Sequence, residues 1–336
     1  MPMEPDFAAD LYDGTAEAYD RFRLPYPPVL IEDLLSRAAV TGRGRLLDLA
    51  CGTGQLAFAL DRAFAETWAV DQEPGMVRVV AAKGGQNIRA VVAGAEDLVA
   101  APGSFELAVV GNAFHRLRRD RVAQRVFEWL RPGGWLALCW SDSPWAGDAE
   151  WQRVFGAVID RWRARLATRD RLPAGWADAR RSKPDSVVLA EVGFETIGRF
   201  AFQVEHRWTV RELAGFVYST SFLPAPVFGD QAPRFEAELA NELAPFVRGG
   251  ALIEQVGYAY DLARKPPGPP RNVAAGRAPA ATNQGRLGAG GSVERETGGG
   301  AAVAGVIGLV ADVHRGAGCD RGVVRGVVRG HLAGGR

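Results

Sequence analysis

Short apolar runs of strand length alternate with segments of helical periodicity along most of the chain. This pattern predicts helices at residues 10–23, 28–39, 55–63, 74–83 and 120–129, and strands at 45–49, 66–70, 88–92, 105–111 and 134–140. Further strands are predicted at 195–208 and 256–264, with helices at 210–218 and 233–246 between them. Such alternation is typical of an α/β fold with a doubly wound, mostly parallel sheet. We expect seven strands, with one of the last two antiparallel.

The chain divides by composition into three parts. Residues 1–40 are predicted to form an N-terminal helical cap, and residues 41–265 a main domain with a Trp- and Arg-rich helical insertion at about 145–185. Residues 266–336 contain no Phe, Trp or Tyr and have nine Arg against four acidic residues, so we expect a disordered tail. Three interpretations of this tail remain open: a flexible extension, a basic arm that contacts nucleic acid, and translation from an unintended reading frame.

Charge and cysteine usage narrow the functional classes. The formal net charge is +1, which argues against a nucleic-acid or anionic-membrane partner. The three cysteines have neither zinc-ligand nor disulfide-framework spacing, so no metal is expected. The N-terminus lacks the pattern of a signal peptide, and no apolar run approaches the ~20 residues of a membrane helix. We therefore expect a cytoplasmic protein, with an oligomeric state that composition leaves open.

A glycine turn follows the first predicted strand. Gly52 and Gly54 allow a tight turn and a close approach of the backbone to a ligand, which indicates a nucleoside-bearing cofactor. The glycines alone fit a nicotinamide or flavin dinucleotide as well as S-adenosylmethionine. Asp48 favours S-adenosylmethionine, because a carboxylate repels a pyrophosphate and attracts a sulfonium and an ammonium group. The alternative for Asp48 is a cap at the end of the strand.

A second acidic residue, Asp71, ends the second predicted strand nineteen residues after Gly52. A carboxylate at this position accepts hydrogen bonds from ribose hydroxyls, whichever of the two cofactors is present. We expect the neighbouring Gln72 and Met76 to flank the adenine ring, although a methionine on a helix is more often a core residue.

Several segments together resemble the class I S-adenosylmethionine-dependent methyltransferases. In order and spacing these segments are residues 48–54 (DLACGTG), 70–76 (VDQEPGM), 95–98 (AEDL), 104–107 (SFEL) and 130–134 (LRPGG). The resemblance covers roughly residues 10–264 and implies the Rossmann-like methyltransferase fold. Residues 19–27 (YDRFRLPYP) are similar to the small-molecule type near trans-aconitate methyltransferase, in which an N-terminal helix folds over the cofactor.

The resemblance also implies roles for individual residues. The methionine end of S-adenosylmethionine is assigned to Asp48, Gly52 and Gly54. Further candidates for cofactor binding are Ala50, Gln55 and Asn112. Asp71 is assigned to the ribose, and the adenine is assigned to Ala95, Glu96 and Asp97. The chain departs from the family pattern at Gly94, where an Asp is common, so the adenine contacts are expected from Glu96, Asp97 or the backbone. Ala50 replaces the first glycine of the family's turn.

The acceptor side is predicted from residues near the end of the fourth strand. His115 is the candidate general base, because imidazole titrates near neutrality, and a structural or orienting role is the alternative. Arg23 and Arg116 are candidates to pair with an acceptor carboxylate. The remaining candidates for the acceptor pocket, each also compatible with ordinary packing, are Tyr12, Tyr19, Trp140 and Tyr218.

The sequence thus predicts an enzyme that moves the methyl group of S-adenosylmethionine to a small molecule, at oxygen. The nearest alternatives are a nicotinamide-dependent oxidoreductase and a module that binds S-adenosylmethionine without catalysis. Asp48 argues against the oxidoreductase, and the chain has no Tyr-x-x-x-Lys pair of the short-chain reductase type.

Overall fold

The computed structural model describes residues 10–168 and 180–268, and within them seven strands form one sheet. The spatial order is β3-β2-β1-β4-β5-β7-β6. Neighbours from β3 to β5 are parallel, and β7 is antiparallel to both β5 and β6. The strands are β1 (Arg45–Leu49), β2 (Glu66–Asp71), β3 (Ile88–Val92), β4 (Phe105–Gly111), β5 (Leu130–Ser141), β6 (Glu195–Trp208) and β7 (Leu252–Arg264). The predicted seven-stranded, mostly parallel sheet is confirmed.

Helices cover both faces of this sheet. In chain order they are α1 (Ala16–Phe22), α2 (Pro28–Arg37), α3 (Gln55–Leu60), α4 (Pro74–Lys83), α5 (Arg119–Trp129), α6 (Glu150–Arg165), α7 (Asp185–Val192), α8 (Val210–Tyr218), α9 (Ala225–Phe228) and α10 (Ala232–Leu243). The first helix begins later than predicted, because residues 10–14 form turns in which Gly14 has a positive φ of 72°. The predicted β5 began four residues too late, since Leu130 already pairs with Phe105, and ended one residue too early, at 140 instead of Ser141.

Two of the hydrophobic clusters lie on opposite faces of the sheet. On one face, α5 and α7 bury Trp129 and Leu189 against the strands. On the other face, α2 and α3 pack Leu34 and Leu60 against β1, β5 and β7. The strands β1 and β4 are almost entirely buried, as expected for parallel strands covered on both sides.

A third cluster forms a helical cover of α6, α8, α9 and α10. Trp162, Phe228 and Phe235 are fully buried at its centre. Trp145 joins it through edge contacts with the rings of Phe155 and Phe216. The cover is therefore larger than the insertion predicted at 145–185, because helices of residues 210–243 complete its core.

Strand register brings the expected site residues to one edge of the sheet. Asp48 pairs with Ala69 of β2 and Val109 of β4, and Gly111 pairs with Cys139 of β5. The chain reverses its strand order between β1 and β4, and in open α/β sheets ligands bind outside the carboxyl ends at this point. The glycine turn after β1 lies here.

Parts of the predicted domain organisation fall outside the described residues. These parts are residues 1–9 of the cap, residues 169–179 of the insertion and all but the first three residues of the tail at 266–336. Among residues 10–168 and 180–268, no helix is long and apolar enough to span a membrane.

Candidate functional site

A small cavity lies at the carboxyl ends of β1, β4 and β5, beneath the N-terminal cap. Its volume of about 30 Å³ is roughly that of one water molecule in the liquid. Its lining residues are Tyr19, Arg23, Leu24, Tyr26, Asp48, Ala50, Cys51, Gln55, Leu56, Gly111, Asn112 and Ser141. We call it the strand-end cavity. A nucleoside cofactor is much larger, so only part of one would fit within this space.

Asp48 is the acidic residue in the wall of this cavity. One carboxylate oxygen, Oδ2, accepts a hydrogen bond from the Ala57 N–H at 2.8 Å, so Asp48 does cap α3. The other oxygen, Oδ1, is buried and has no hydrogen-bond partner among residues 10–168 and 180–268. Burial raises the pKa of Asp48 to about 7, with a smaller contribution from the neighbouring Asp71 carboxylate. A buried acceptor with an unused oxygen is costly, and a cationic ligand group would satisfy it.

The turn after β1 has the backbone shape that the glycines were predicted to allow. Gly52 and Gly54 have positive φ values of 56° and 87°, and Ala50 adopts 57° despite its side chain. A Cβ atom on Gly52 would lie 3.2 Å from the Tyr19 ring. The backbone of the turn is therefore in close contact with the cap, and a larger residue at 52 would push Tyr19 away.

Asp71 fixes the turn from the neighbouring strand. Its Oδ2 accepts from the Gly52 N–H at 2.8 Å, and its Oδ1 accepts from the Glu73 N–H at 2.9 Å. Burial raises the pKa of this carboxyl, while these backbone hydrogen bonds lower it. Each oxygen keeps a further lone pair, which is what a ribose hydroxyl requires.

The residues predicted to hold adenine differ in their surroundings. Gln72 is exposed at the end of β2, whereas Met76 is 2% exposed and packs as a core residue. Ala95 is also a core residue, and Glu96 Oε1 accepts from the Arg118 N–H at 2.9 Å. Asp97 has a side chain that is 79% exposed and pairs with Arg121 at 3.6 Å. Gln72 and Asp97 are thus accessible, while the side chains of Met76 and Ala95 can offer only apolar surface.

Two aromatic–arginine pairs hold the cap over the cavity. Arg23 lies over the Tyr19 ring and donates from Nε to Ser219 Oγ at 2.8 Å. Arg116 lies over the Tyr12 ring and donates to the Tyr12 hydroxyl. The two tyrosine rings meet edge to face at 6.0 Å. The predicted grouping of Tyr12, Tyr19, Arg23 and Arg116 is thus present.

His115 lies in a short 3₁₀ helix, Phe114–Arg116, directly after β4. Its Nε2 accepts a hydrogen bond from Arg116 Nε at 3.2 Å. Burial lowers the pKa of His115 well below its usual value, and the charges of Arg116, Arg180 and Arg119 lower it further. A histidine that resists protonation is a weak base, so its surroundings argue against general-base catalysis and favour a role in positioning Arg116.

Asn112 and Ser141 join the ends of β4 and β5 on the cavity wall. Asn112 Nδ2 donates to Ser141 Oγ at 2.6 Å, and the Ser141 N–H donates to Asn112 Oδ1 at 3.3 Å. Asn112 has a positive φ of 49°, a conformation that asparagine tolerates better than most residues. Its predicted position beside the cofactor site agrees with this geometry.

Two predicted acceptor residues lie elsewhere. Trp140 is a core residue, and its indole N–H donates to Asp261 at 3.1 Å. Tyr218 packs against Phe228 in the helical cover, and its hydroxyl donates to Glu236 at 3.0 Å. Neither residue lines the strand-end cavity. Their assignment to the acceptor pocket stays a prediction, and in this structure the Trp140 ring packs in the sheet while the Tyr218 ring packs in the helical cover.

Tyr26 is the main site residue that the sequence prediction missed. It lines the cavity, and its hydroxyl would lie 2.8 Å from a Cβ atom placed on Gly111. Burial raises its pKa well above the usual value, so the phenol stays protonated. A tyrosine between two prolines, Pro25 and Pro27, was a usable signal, because such a segment is extended and can turn a ring inward. The other missed lining residues are Leu24, Cys51, Leu56, Gly111 and Ser141.

The residues present fit S-adenosylmethionine better than a dinucleotide. The buried and unpartnered Asp48 Oδ1 needs a donor or a cation, and a pyrophosphate is neither. Asp71, which is half-buried, adds a second acidic group at the same edge of the sheet. The side chains of the site therefore favour a ligand that carries positive charge.

Comparisons with known proteins agree with this geometry. Residues 46–134 match a methyltransferase-domain family. The chain is 34% identical over 150 residues to an uncharacterised methyltransferase of Mycobacterium tuberculosis, which is 45% of this chain and 59% of that protein. It is 28% identical over 126 residues to a probable S-adenosylmethionine-dependent methyltransferase of Saccharomyces cerevisiae, covering 36% of this chain and 43% of that protein. The match thus spans little more than half the length of the first of these relatives and less than half of the second.

A solved structure shares the fold. A putative type II methyltransferase from Anaeromyxobacter dehalogenans superposes with a TM-score of 0.53 at 24% identity, covering 73% of this chain and 99% of that chain. At this identity the likeness concerns the fold, which is that of the Rossmann-like methyltransferases.

Proposed function

The chain carries a class I S-adenosylmethionine-dependent methyltransferase domain, and from this we propose that it moves the methyl group of S-adenosylmethionine to an oxygen atom of a small molecule. The observation that carries the proposal is the buried, unpartnered oxygen of Asp48 in the strand-end cavity. A cationic cofactor supplies what this oxygen lacks. The match at residues 46–134 and the named relatives support the same reaction class.

Different residues are assigned to different parts of S-adenosylmethionine. We assign Asp48, Gln55 and Asn112 to the charged methionine end and Asp71 to the ribose, because the first three line the cavity and Asp71 lies at the next strand end. Gln72, Glu96 and Asp97 are assigned to the adenine side. Tyr19 and Arg23 line the cavity on the side of the cap.

The donor supplies a carbon already activated by the sulfonium, so orientation of the acceptor can account for most of the acceleration. Arg23 and Arg116 are suited to orient an anionic acceptor. Arg23 donates hydrogen bonds to Ser219 from Nε and one terminal nitrogen. Arg116 donates from Nε to His115 and from one terminal nitrogen to Tyr12. One terminal nitrogen of each guanidinium remains for a carboxylate, which supports oxygen as the acceptor atom.

The acceptor class is tested by methyl transfer from labelled S-adenosylmethionine to a panel of small carboxylates, phenols and amines. We expect label in a carboxylate as an ester that mild alkali hydrolyses. Arg116→Lys should raise the acceptor KM with little change in the affinity for S-adenosylmethionine, because the single ammonium of lysine cannot keep the contacts with His115 and Tyr12 while it also binds the acceptor. Label found only in amines would contradict the oxygen assignment.

Two alternatives make different predictions about ligands. A nicotinamide-dependent oxidoreductase would bind NADH, and the buried acid at Asp48 opposes the pyrophosphate of that cofactor. A non-catalytic module would bind S-adenosylmethionine and its demethylated product without turnover on any acceptor. The two buried free thiols among the described residues, Cys51 and Cys139, suit the reducing cytoplasm in which we place the reaction.

A further inference from the structure

Strand β6 forms one edge of the sheet and is unusually long for an edge strand. It runs over 14 residues, whereas β3 at the opposite edge has five. Among the described residues β6 pairs only with β7, so its outer side carries a row of backbone donors and acceptors open to a further strand. Long open edges in natural proteins are commonly covered, and they are templates for strand addition.

The sequence of this edge is nearly symmetric about Phe202. Residues 199–205 read Arg-Phe-Ala-Phe-Gln-Val-Glu. If a second copy of β6 pairs antiparallel with Phe202 opposite itself, Arg199 lies opposite Glu205 at both ends of the pairing. In the same register Phe200 lies opposite Val204. Opposite charges and apolar side chains directly across from each other both stabilise antiparallel pairs.

The two faces of β6 suit such a pairing. Phe200, Phe202 and Val204 lie on one face, are half-buried, and pack beside Tyr260 and its neighbours on β7. Ala201, Gln203 and Glu205 lie on the other face and are exposed. In a pair of β6 strands the apolar side chains of both copies lie beside one another on the first face, while the polar face stays exposed to water.

We propose that β6 is a dimerisation edge, which pairs antiparallel with β6 of a second copy of this chain about a two-fold axis at Phe202. Arg199, which contacts Asp261 of its own chain at 3.6 Å, then lies between that residue and Glu205 of the second copy. The sheet continues across both copies. The irregularity between Thr196 and Gly198 ends the clean pairing on one side, so the paired stretch is residues 198–206.

The test is the oligomeric state of the full chain by sedimentation equilibrium at micromolar concentration. We expect a dimer, and we expect Glu205→Arg to raise the dimer dissociation constant at least about tenfold, because it sets two Arg–Arg contacts in each interface. Glu195→Arg is the matched control, since it makes the same charge change before the irregularity and should leave the dimer intact. A monomeric wild-type chain, or a Glu205→Arg chain that dimerises as tightly as the wild type, would overturn the proposal.

The register is tested separately by disulfide cross-linking in a Cys319→Ser background. Ala201→Cys and Gln203→Cys chains are mixed and oxidised, because opposed residues of antiparallel strands have the Cα separation that a disulfide needs. We expect the mixture to cross-link faster than either variant alone. Equal cross-linking rates in all three samples would contradict pairing about Phe202. Thermal melts of each variant, followed by circular dichroism, show whether the variant is folded.

Discussion

At the scale of single residues, the site depends on which groups form hydrogen bonds with the buried carboxylate of Asp48. Asp48 offers one oxygen to the Ala57 N–H and leaves the other without a partner, and burial raises its pKa to about 7. The structural alternative for Asp48, a hydrogen bond at the start of α3, is therefore present, and it occupies one of the two carboxylate oxygens. This structural role does not explain why the second oxygen, Oδ1, is buried without a partner among the described residues.

The first prediction concerns stability. The pKa of Asp48 is about 7 in the folded protein, against roughly 3.9 in an unfolded chain. The folded state thus holds more protons between those values, and stability falls as the pH rises through this window. Asp48→Asn should therefore stabilise the ligand-free protein by about 1–3 kcal/mol at pH values above 7. Urea unfolding measures this, and a destabilised variant would show that the charge itself serves the fold.

The second prediction concerns the pH dependence of cofactor binding. A cationic ligand binds the ionised form of Asp48, so the affinity for S-adenosylmethionine should fall as the pH is lowered through about 7, by up to about tenfold per unit below it. Calorimetry in buffers of different ionisation enthalpy should show proton release near this pH. Asp160→Asn, at a side chain 77% exposed on α6, should keep the wild-type profile. A pH-independent wild-type affinity would contradict the role of Asp48.

The third prediction concerns His115. Because its Nε2 accepts from Arg116 and its pKa lies well below the usual value, His115→Ala should lower kcat at saturating acceptor by less than about tenfold. A general base typically contributes 10²–10⁴-fold. Steady-state kinetics decide between the roles, and a loss of about 100-fold or more would restore His115 as the base.

At the scale of elements, the N-terminal cap controls access to the cavity. Arg23, just after α1, donates two hydrogen bonds to Ser219 at the end of α8 and lies over the rings of Tyr19 and Phe216. Lys83 at the end of α4 pairs with Asp20 and holds the same helix from the other side. These contacts hold the cap beside the strand-end cavity, so we expect the rate of ligand exchange to depend on them.

The fourth prediction follows from those contacts. Arg23→Ala should speed both entry and release of S-adenosylmethionine, with release at least about tenfold faster, because the substitution removes two hydrogen bonds worth roughly 1 kcal/mol each. Stopped-flow tryptophan fluorescence measures both rates. Arg21→Ala, at an exposed position on α1, is the control and should leave them unchanged. Unchanged rates in Arg23→Ala would mean that the cap does not limit exchange.

Element positions were largely predictable because the parallel strands are short apolar runs between clear breaks. The bounds of β1, β3, β4, β6 and α4 were all predicted correctly. The sequence did not reveal that Gly14 delays α1 or that β5 extends back to Leu130, since both depend on local turns and partners.

Asp48, Gly52 and Asp71 were predicted because strand-end positions follow from element order. For Trp140 and Tyr218, a sequence pattern does not distinguish an aromatic ring that lines a cavity from one that packs in a core.

At the scale of the whole molecule, the sheet both holds the site and provides a surface for association. The carboxyl ends of β1, β2, β4 and β5 gather the acidic and polar groups of the site. The proposed dimer edge, β6, is separated from β5 by β7, so pairing there leaves the cavity open to ligands. Catalysis and association can therefore be tested independently with variants of different strands.

Calorimetric titration of the full chain with S-adenosylmethionine, its demethylated product and NADH tests the central claim most directly. We expect the first two to bind and NADH to give no heat of binding. Asp48→Asn should weaken S-adenosylmethionine more than the demethylated product, because only the former carries the sulfonium charge. Binding of NADH alone, or binding of S-adenosylmethionine that Asp48→Asn leaves unchanged, would contradict the account.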